Sequence, residues 1–131
     1  MVKLINKLKN RKGFTLIELI VVLAVLAIIM AIAVPRFMGV QEQSKVDADY
    51  ASGSLIAKTA EIYAAKDMAV SDIKTKIAKD FPQGITFQSK LIKGQDLDDV
   101  EISVDSTTGE VTVKVTKDTT KYEIYPGTDL D

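Results

Sequence analysis

Gly13, Phe14 and Glu18, in the run Gly13-Phe14-Thr15-Leu16-Ile17-Glu18, are the residues with most chemistry to offer. Glu18 is followed by Leu19 to Val34, sixteen residues without a charge. A carboxylate inside a stretch fit to span a membrane is costly, and by default it is functional and needs a partner. The chemistry on offer is charge pairing. The counter-charge for Glu18 is to be sought in the residues just before it, where Gly13, without a Cβ, can lie extended in a tight cleft. Either charge alone in apolar surroundings costs several kcal/mol, and pairing offsets much of the loss.

Turnover chemistry is disfavoured. The chain has no Cys, His or Trp, which excludes zinc sites and Cys-His nucleophiles. No glycine-rich phosphate loop or paired general acid and base stands out, so no enzyme activity and no cofactor are expected. Asp96, Asp98 and Asp99, with Asp105 nearby, lack the Asp-x-Asp-x-Asp-Gly spacing of a calcium loop and read as solvated acids, so no metal is expected. Tyr50, Tyr63, Tyr122 and Tyr125 read as core edges. Five of the 17 basic residues fall in residues 1–13, leaving twelve against all 18 acids over residues 14–131. An acidic domain is a poor match for phosphate, so direct nucleic-acid binding is not expected.

The elements that must position these residues follow from periodicity. Phe14 to Val34, interrupted only by Thr15 and Glu18, would form a helix about 30 Å long, enough to cross a hydrocarbon core. The upstream positives hold its N-terminus in the cytoplasm. Pro35 removes a backbone donor and predicts a kink or local unwinding near Ala31 to Pro35. Helical pattern then resumes, with Val40, Ser44, Ala48, Ala51, Leu55, Ile56, Ile62 and Tyr63 as the inward face and Gln41, Lys45, Asp49, Lys58 and Glu61 as the polar one. Gly53 costs roughly 1 kcal/mol of helix propensity and is best explained by close approach of a sheet. Ser71 can cap a second helix bearing Ile73, Ile77 and Phe81 on one face, stopped by Pro82-Gln83-Gly84. Beyond it the period is two: Ile85 to Phe87, Val100 to Val104, Val111 to Val115 and Tyr122 to Ile124 read as strands, with Ser106 to Gly109 as a hairpin turn. The expected class is α+β, a long helix against an antiparallel sheet of three or four strands.

Basic leader, Gly, Phe, Thr, Leu, Ile, Glu, then about twenty apolar residues: this order closely resembles type IV pilins and their secretion-system relatives, the pseudopilins. The sharp resemblance spans Lys9 to Met38; beyond that only the layout agrees. It implies a cleaved basic leader over residues 1–13, a transmembrane and filament-core helix over 14–38, and a globular head over 39–131. In that family a prepilin peptidase cuts after the glycine and methylates the new amine; carried over, the cut lies between Gly13 and Phe14, removes five positive charges and leaves one α-ammonium on Phe14, the counter-charge Glu18 lacks. The resemblance further implies that Glu18 of an incoming subunit pairs with the Phe14 amine of a neighbour. The product is a homo-oligomeric helical filament raised from the inner or cytoplasmic membrane by an assembly ATPase and a platform protein, for adhesion or surface motility. Its location is the membrane as a single-pass precursor, then an extracellular pilus or a pseudopilus. A major pseudopilin of a type II secretion or DNA-uptake system is the nearest alternative. A single-pass anchored binding module is an alternative of another class, and an ordinary signal peptide cut at Ala31-Ile32-Ala33 is a further one. Many pilins fasten the C-terminal region with a disulfide. Here hydrogen bonding and packing around Tyr122 to Tyr125 must replace it.

Overall fold

The computed structural model describes residues 13–127 and 129–131. The expected leader, residues 1–13, lies outside them except for Gly13. Two units are present, one ending at Gly39 and the other running Val40–Asp131. Helix α1, Leu16–Ala64, contributes to both. The chain has an α+β fold: a long N-terminal apolar helix and a small three-stranded antiparallel sheet.

In the first unit every large apolar side chain from Leu16 to Met38 is exposed. Among the described residues nothing covers this stretch, and the helix is long and apolar enough to cross a membrane. The backbone stays helical through Pro35, so it does not unwind at that point.

The second unit has its own core. Helix α2 is Val70–Asp80, and a 3₁₀ turn at Leu97–Asp99 leads into β1, Val100–Val104. Strands β2, Val111–Lys117, and β3, Thr120–Tyr125, complete the sheet in the order β1-β2-β3. Register pairs Val100 with Val115, Ile102 with Val113 and Val104 with Val111, and a bulge shifts β2 against β3 between Val113 and Lys114. Alternation then puts Val100, Ile102, Val111, Val113, Val115 and Ile124 on the inner face. The β1–β2 turn forms where expected: Gly109 has φ +74°, and the Asp105 carboxylate accepts from Thr107 N and Thr108 N at 2.7 and 3.0 Å. Those two N–H groups hold the Asp105 carboxyl below the usual aspartate range.

Several expectations are corrected. The inward face of α1 in this unit is Val46, Asp49, Gly53, Ile56, Ala57 and Ala60. Ile56 is on it as expected, but Val40, Leu55 and Ile62 are exposed and Asp49 is buried. Helix α2 is capped at Ala69 without a side-chain bond, so Ser71 is not its cap, while Ile73 and Ile77 are buried as expected. Ile85 to Phe87 makes a single bridge, Thr86 to Asp96, and no fourth strand. Its backbone amides farther along are taken by the helix instead of by a sheet.

The close-approach explanation of Gly53 holds. A Cβ built there would lie 2.9 Å from Ile124 Cδ1, Cγ1 and carbonyl oxygen. The side chain could adjust; the backbone oxygen can do so only by moving β3. Gly53→Ala is therefore expected to destabilise the unit by about 1–3 kcal/mol through overpacking, outweighing the roughly 1 kcal/mol gained in helix propensity. Thermal melting of the detergent-solubilised chain checks this, and a raised midpoint would refute it.

The C-terminal segment is fastened without a disulfide. Leu130 is buried, its N–H donates to Tyr50 Oη at 2.8 Å, and Glu123 N donates to Asp129 Oδ2 at 2.8 Å. Lys58 Nζ reaches Tyr125 Oη at 3.1 Å. The fastening thus involves β3 as expected and extends to Tyr50 on α1.

Candidate functional site

The start of α1 is a reciprocal hydrogen-bonded cap. Thr15 N donates to Glu18 Oε2 at 2.7 Å, and Glu18 N donates to Thr15 Oγ1 at 3.3 Å. This is the Thr-x-x-Glu capping box, which satisfies two of the donors that every helix N-terminus leaves open. It also places a carboxylate in the first turn, where the helix dipole favours it. Water cannot do this work inside a bilayer, so the internal cap matters more there than at an aqueous helix end.

The arrangement says what Glu18 does within one chain. Thr15 was not among the residues singled out from the sequence, although its spacing from Glu18 was the available signal. Phe14 is exposed, immediately before the cap, and Gly13 has open space around its Cα. The Gly13-Phe14 bond therefore precedes the helix, in non-helical backbone that a protease can bind extended. Farther along, Pro35 lies within α1.

The second unit offers no competing catalytic constellation among the described residues, and no three acidic side chains converge there as metal ligands. Asp96 and Asp99 cap the 3₁₀ turn reciprocally: Asp98 N donates to Asp96 Oδ1 at 2.8 Å and Asp96 N to Asp99 Oδ2 at 3.2 Å. Tyr63 donates to Asp80, tying α1 to α2, and that bond pushes the phenol pKa up. On the outer sheet face Lys121 pairs with Glu101 and holds its carboxyl below the usual range, while Lys114 pairs with Glu123 at 3.6 Å. These are cross-strand ion pairs of an exposed sheet face, worth little individually.

One polar cluster went unrecognised in the sequence. Asp49, only 2 % exposed, accepts from Gln88 N at 2.9 Å and Ser89 N at 2.7 Å. About two turns toward the N-terminus, Glu42 Oε1 accepts from Lys90 N at 2.6 Å. Three consecutive backbone amides are thereby held by two carboxylates seven residues apart on α1, on the same side of the helix.

Comparison with known proteins bears on the N-terminal site. A family model described as the prokaryotic N-terminal methylation motif matches residues 8–34. Prepilin peptidase-dependent protein A of Clostridium perfringens (strain 13 / Type A) is 41 % identical over 70 residues, covering 53 % of this chain and 49 % of that protein. The chain thus spans about half the length of the curated relative it matches. No solved structure matches.

Proposed function

We propose that this chain, type IV pilin-like in its N-terminal methylation motif and its α+β fold, is the precursor of a structural subunit of a type IV pilus-like filament. Supporting the reading is one observation above the others: an apolar helix that no other described residue covers begins with a single capped carboxylate. A bilayer covers such a helix in the precursor, and the same helices of other copies cover it in a filament.

In this reading prepilin peptidase cuts between Gly13 and Phe14 and methylates the Phe14 amine. The name of the Clostridium relative says that it depends on that peptidase. Glu18 then leaves its own cap to meet the ammonium of a neighbouring Phe14. The pair acts as a register device, since a buried ion pair contributes more to specificity than to stability. Cohesion comes from the apolar side chains, at about 25 cal/mol per Å² removed from water. Pro35, with one helical donor missing, is the place where the helix bends as the subunit leaves the bilayer. An assembly ATPase and a platform protein supply the work, and the filament serves adhesion or surface motility.

Mature protein from the native host is expected to begin at Phe14 and to carry an extra mass of about 14 Da, one methylene. Intact-mass measurement checks both. Retention of residues 1–13 would overturn the reading in favour of an anchored binding module. The head without cysteine fits a compact pilin and a major pseudopilin of a secretion or DNA-uptake apparatus alike, against a large disulfide-looped pilin. Genes for a retraction ATPase or for secretion components beside this one distinguish the two.

A further inference from the structure

The second unit carries an acidic-rimmed groove at one end of its helix and a lysine-flanked leucine at the other. The groove, about 580 Å³, lies between the C-terminal end of α1, the α1–α2 connection and the β1–β2 turn. Its floor includes Met68, Val70 and Val104, and Glu61, Asp67 and Asp105 stand on its rim. The α1 helix has no basic residue in its last turn, so the partial negative charge of that end adds to the rim. Asp105 is held ionised by the turn amides. Lys58 pairs with Glu61 on the rim itself at 3.3 Å and Lys66 lies over the Tyr63 ring at 5.7 Å, while Asp67 and Asp105 form no ion pair among the described residues.

The opposite feature is the turn Ser89–Gly94. It closes on itself through Ile92 N to Ser89 O and Gly94 N to Phe87 O, both at 3.2 Å. Asp49 and Glu42 clamp its first residues to α1. Leu91 projects from it 39 % exposed, between Lys90 and Lys93. Neither lysine has a carboxylate within ion-pair distance among the described residues. A rigid knob of one apolar side chain between two cations has the inverse chemistry of the groove. Within one chain they cannot meet: Asp49, which holds the knob, and Ala64, at the groove, are fifteen residues apart on a helix, about 22 Å.

We propose that the Lys90-Leu91-Lys93 turn of one copy docks into the Asp67/Asp105-rimmed groove of the next, a head-to-tail contact between heads that repeats along the filament. This rests on the filament reading and adds an interface to it. The contact joins two different surfaces, so it is heterologous, and such contacts propagate as open helical arrays instead of closing as dimers. Charge complementarity sets register and encounter, while Leu91 on the apolar floor excludes water. The clamp on the knob means that little ordering is lost on docking.

The chain has no cysteine, which makes the test clean. Leu91 and Val70 are both exposed, so Leu91→Cys with Val70→Cys in the full chain, expressed in its host and oxidised, is expected to give a ladder of covalent multimers on denaturing gels. Either substitution alone gives none beyond a dimer. Filaments that form without a ladder overturn the contact and leave the filament reading standing. Absence of filaments from the unsubstituted chain overturns both. Independently, Lys90→Glu with Lys93→Glu is expected to lower sheared-filament yield about tenfold, with partial recovery when Asp67→Lys is added. Unchanged yield, or no recovery with Asp67→Lys, counts against the contact.

Discussion

If the chain assembles as proposed, Glu18→Ala is expected to leave the protein made, inserted and cleaved, yet to lower the yield of sheared filaments by about a hundredfold or more. The arithmetic follows from what remains after truncation. In the proposed filament the neighbour's Phe14 ammonium would stay in apolar surroundings without its counter-charge, and losing one partner of a buried pair costs about 3–5 kcal/mol. Each 1.4 kcal/mol is a factor of about ten in association. The capping box adds a second role that must be separated from the first, because Glu18 also accepts from Thr15 N. Glutamine serves in a capping box as well as glutamate does, but it carries no charge. Glu18→Gln should therefore keep the helix start and still fail to assemble. Thr15→Val does the reverse: it removes the hydroxyl acceptor at 3.3 Å and keeps the charge, so its filament yield should fall only modestly. Filament mass per cell for the three variants, beside cleavage read by intact mass, decides the matter. Normal assembly of Glu18→Gln would mean that the carboxylate is only a cap.

Much of the fold was legible where one signal dominated. The three strands and the turn at Gly109 follow from alternation and from a residue free to take positive φ. Gly53 advertised a close approach, which Ile124 supplies. At the N-terminus the order Gly13-Phe14 through Glu18 stands out because a charge in an apolar run is so costly. The buried face of α1 was harder to read. Val40, Ala51, Leu55 and Ile62 make the more apolar stripe, yet the sheet packs on the side that bears Asp49, Gly53, Ala57 and Ala60. Small residues let the sheet come close, so shape prevailed over hydrophobicity there. Asp49 reads as a solvated charge until its partners are known, and those lie 39 and 40 positions away at Gln88 and Ser89. No local pattern announces a contact of that kind. The same contact explains why Ile85 to Phe87 alternates like a strand without joining the sheet. Its buried side chains Ile85 and Phe87 face the core, but the amides just beyond are already satisfied by α1.

That misread carboxylate carries the largest stability effect in the head. Asp49→Ala is expected to destabilise the Val40–Asp131 unit by about 3–5 kcal/mol. Truncation leaves the Gln88 and Ser89 amides without their acceptor, and an orphaned buried donor costs about 1–3 kcal/mol. A unit of this size has a total stability of only about 5–10 kcal/mol, so the variant approaches the threshold of folding. The midpoint of thermal unfolding should fall by roughly 12–40 °C, taking about 4–8 °C per kcal/mol for a domain of this length. Asp49→Asn retains one acceptor oxygen and should cost less than half as much. The Ser89 hydroxyl, by contrast, is buried with no hydrogen-bond partner among the described residues, so Ser89→Ala should be neutral or slightly stabilising. The grip is on the backbone amide, and the hydroxyl contributes none of it. Trypsin gives a local readout, since Lys90 and Lys93 sit on the clamped turn. Asp49→Ala should open both sites to cleavage well below the melting midpoint, whereas Ser89→Ala should not. Equal protection of the turn in Asp49→Ala would mean that the apolar side chains of Phe87 and Ile92, both fully buried, hold it without the carboxylate.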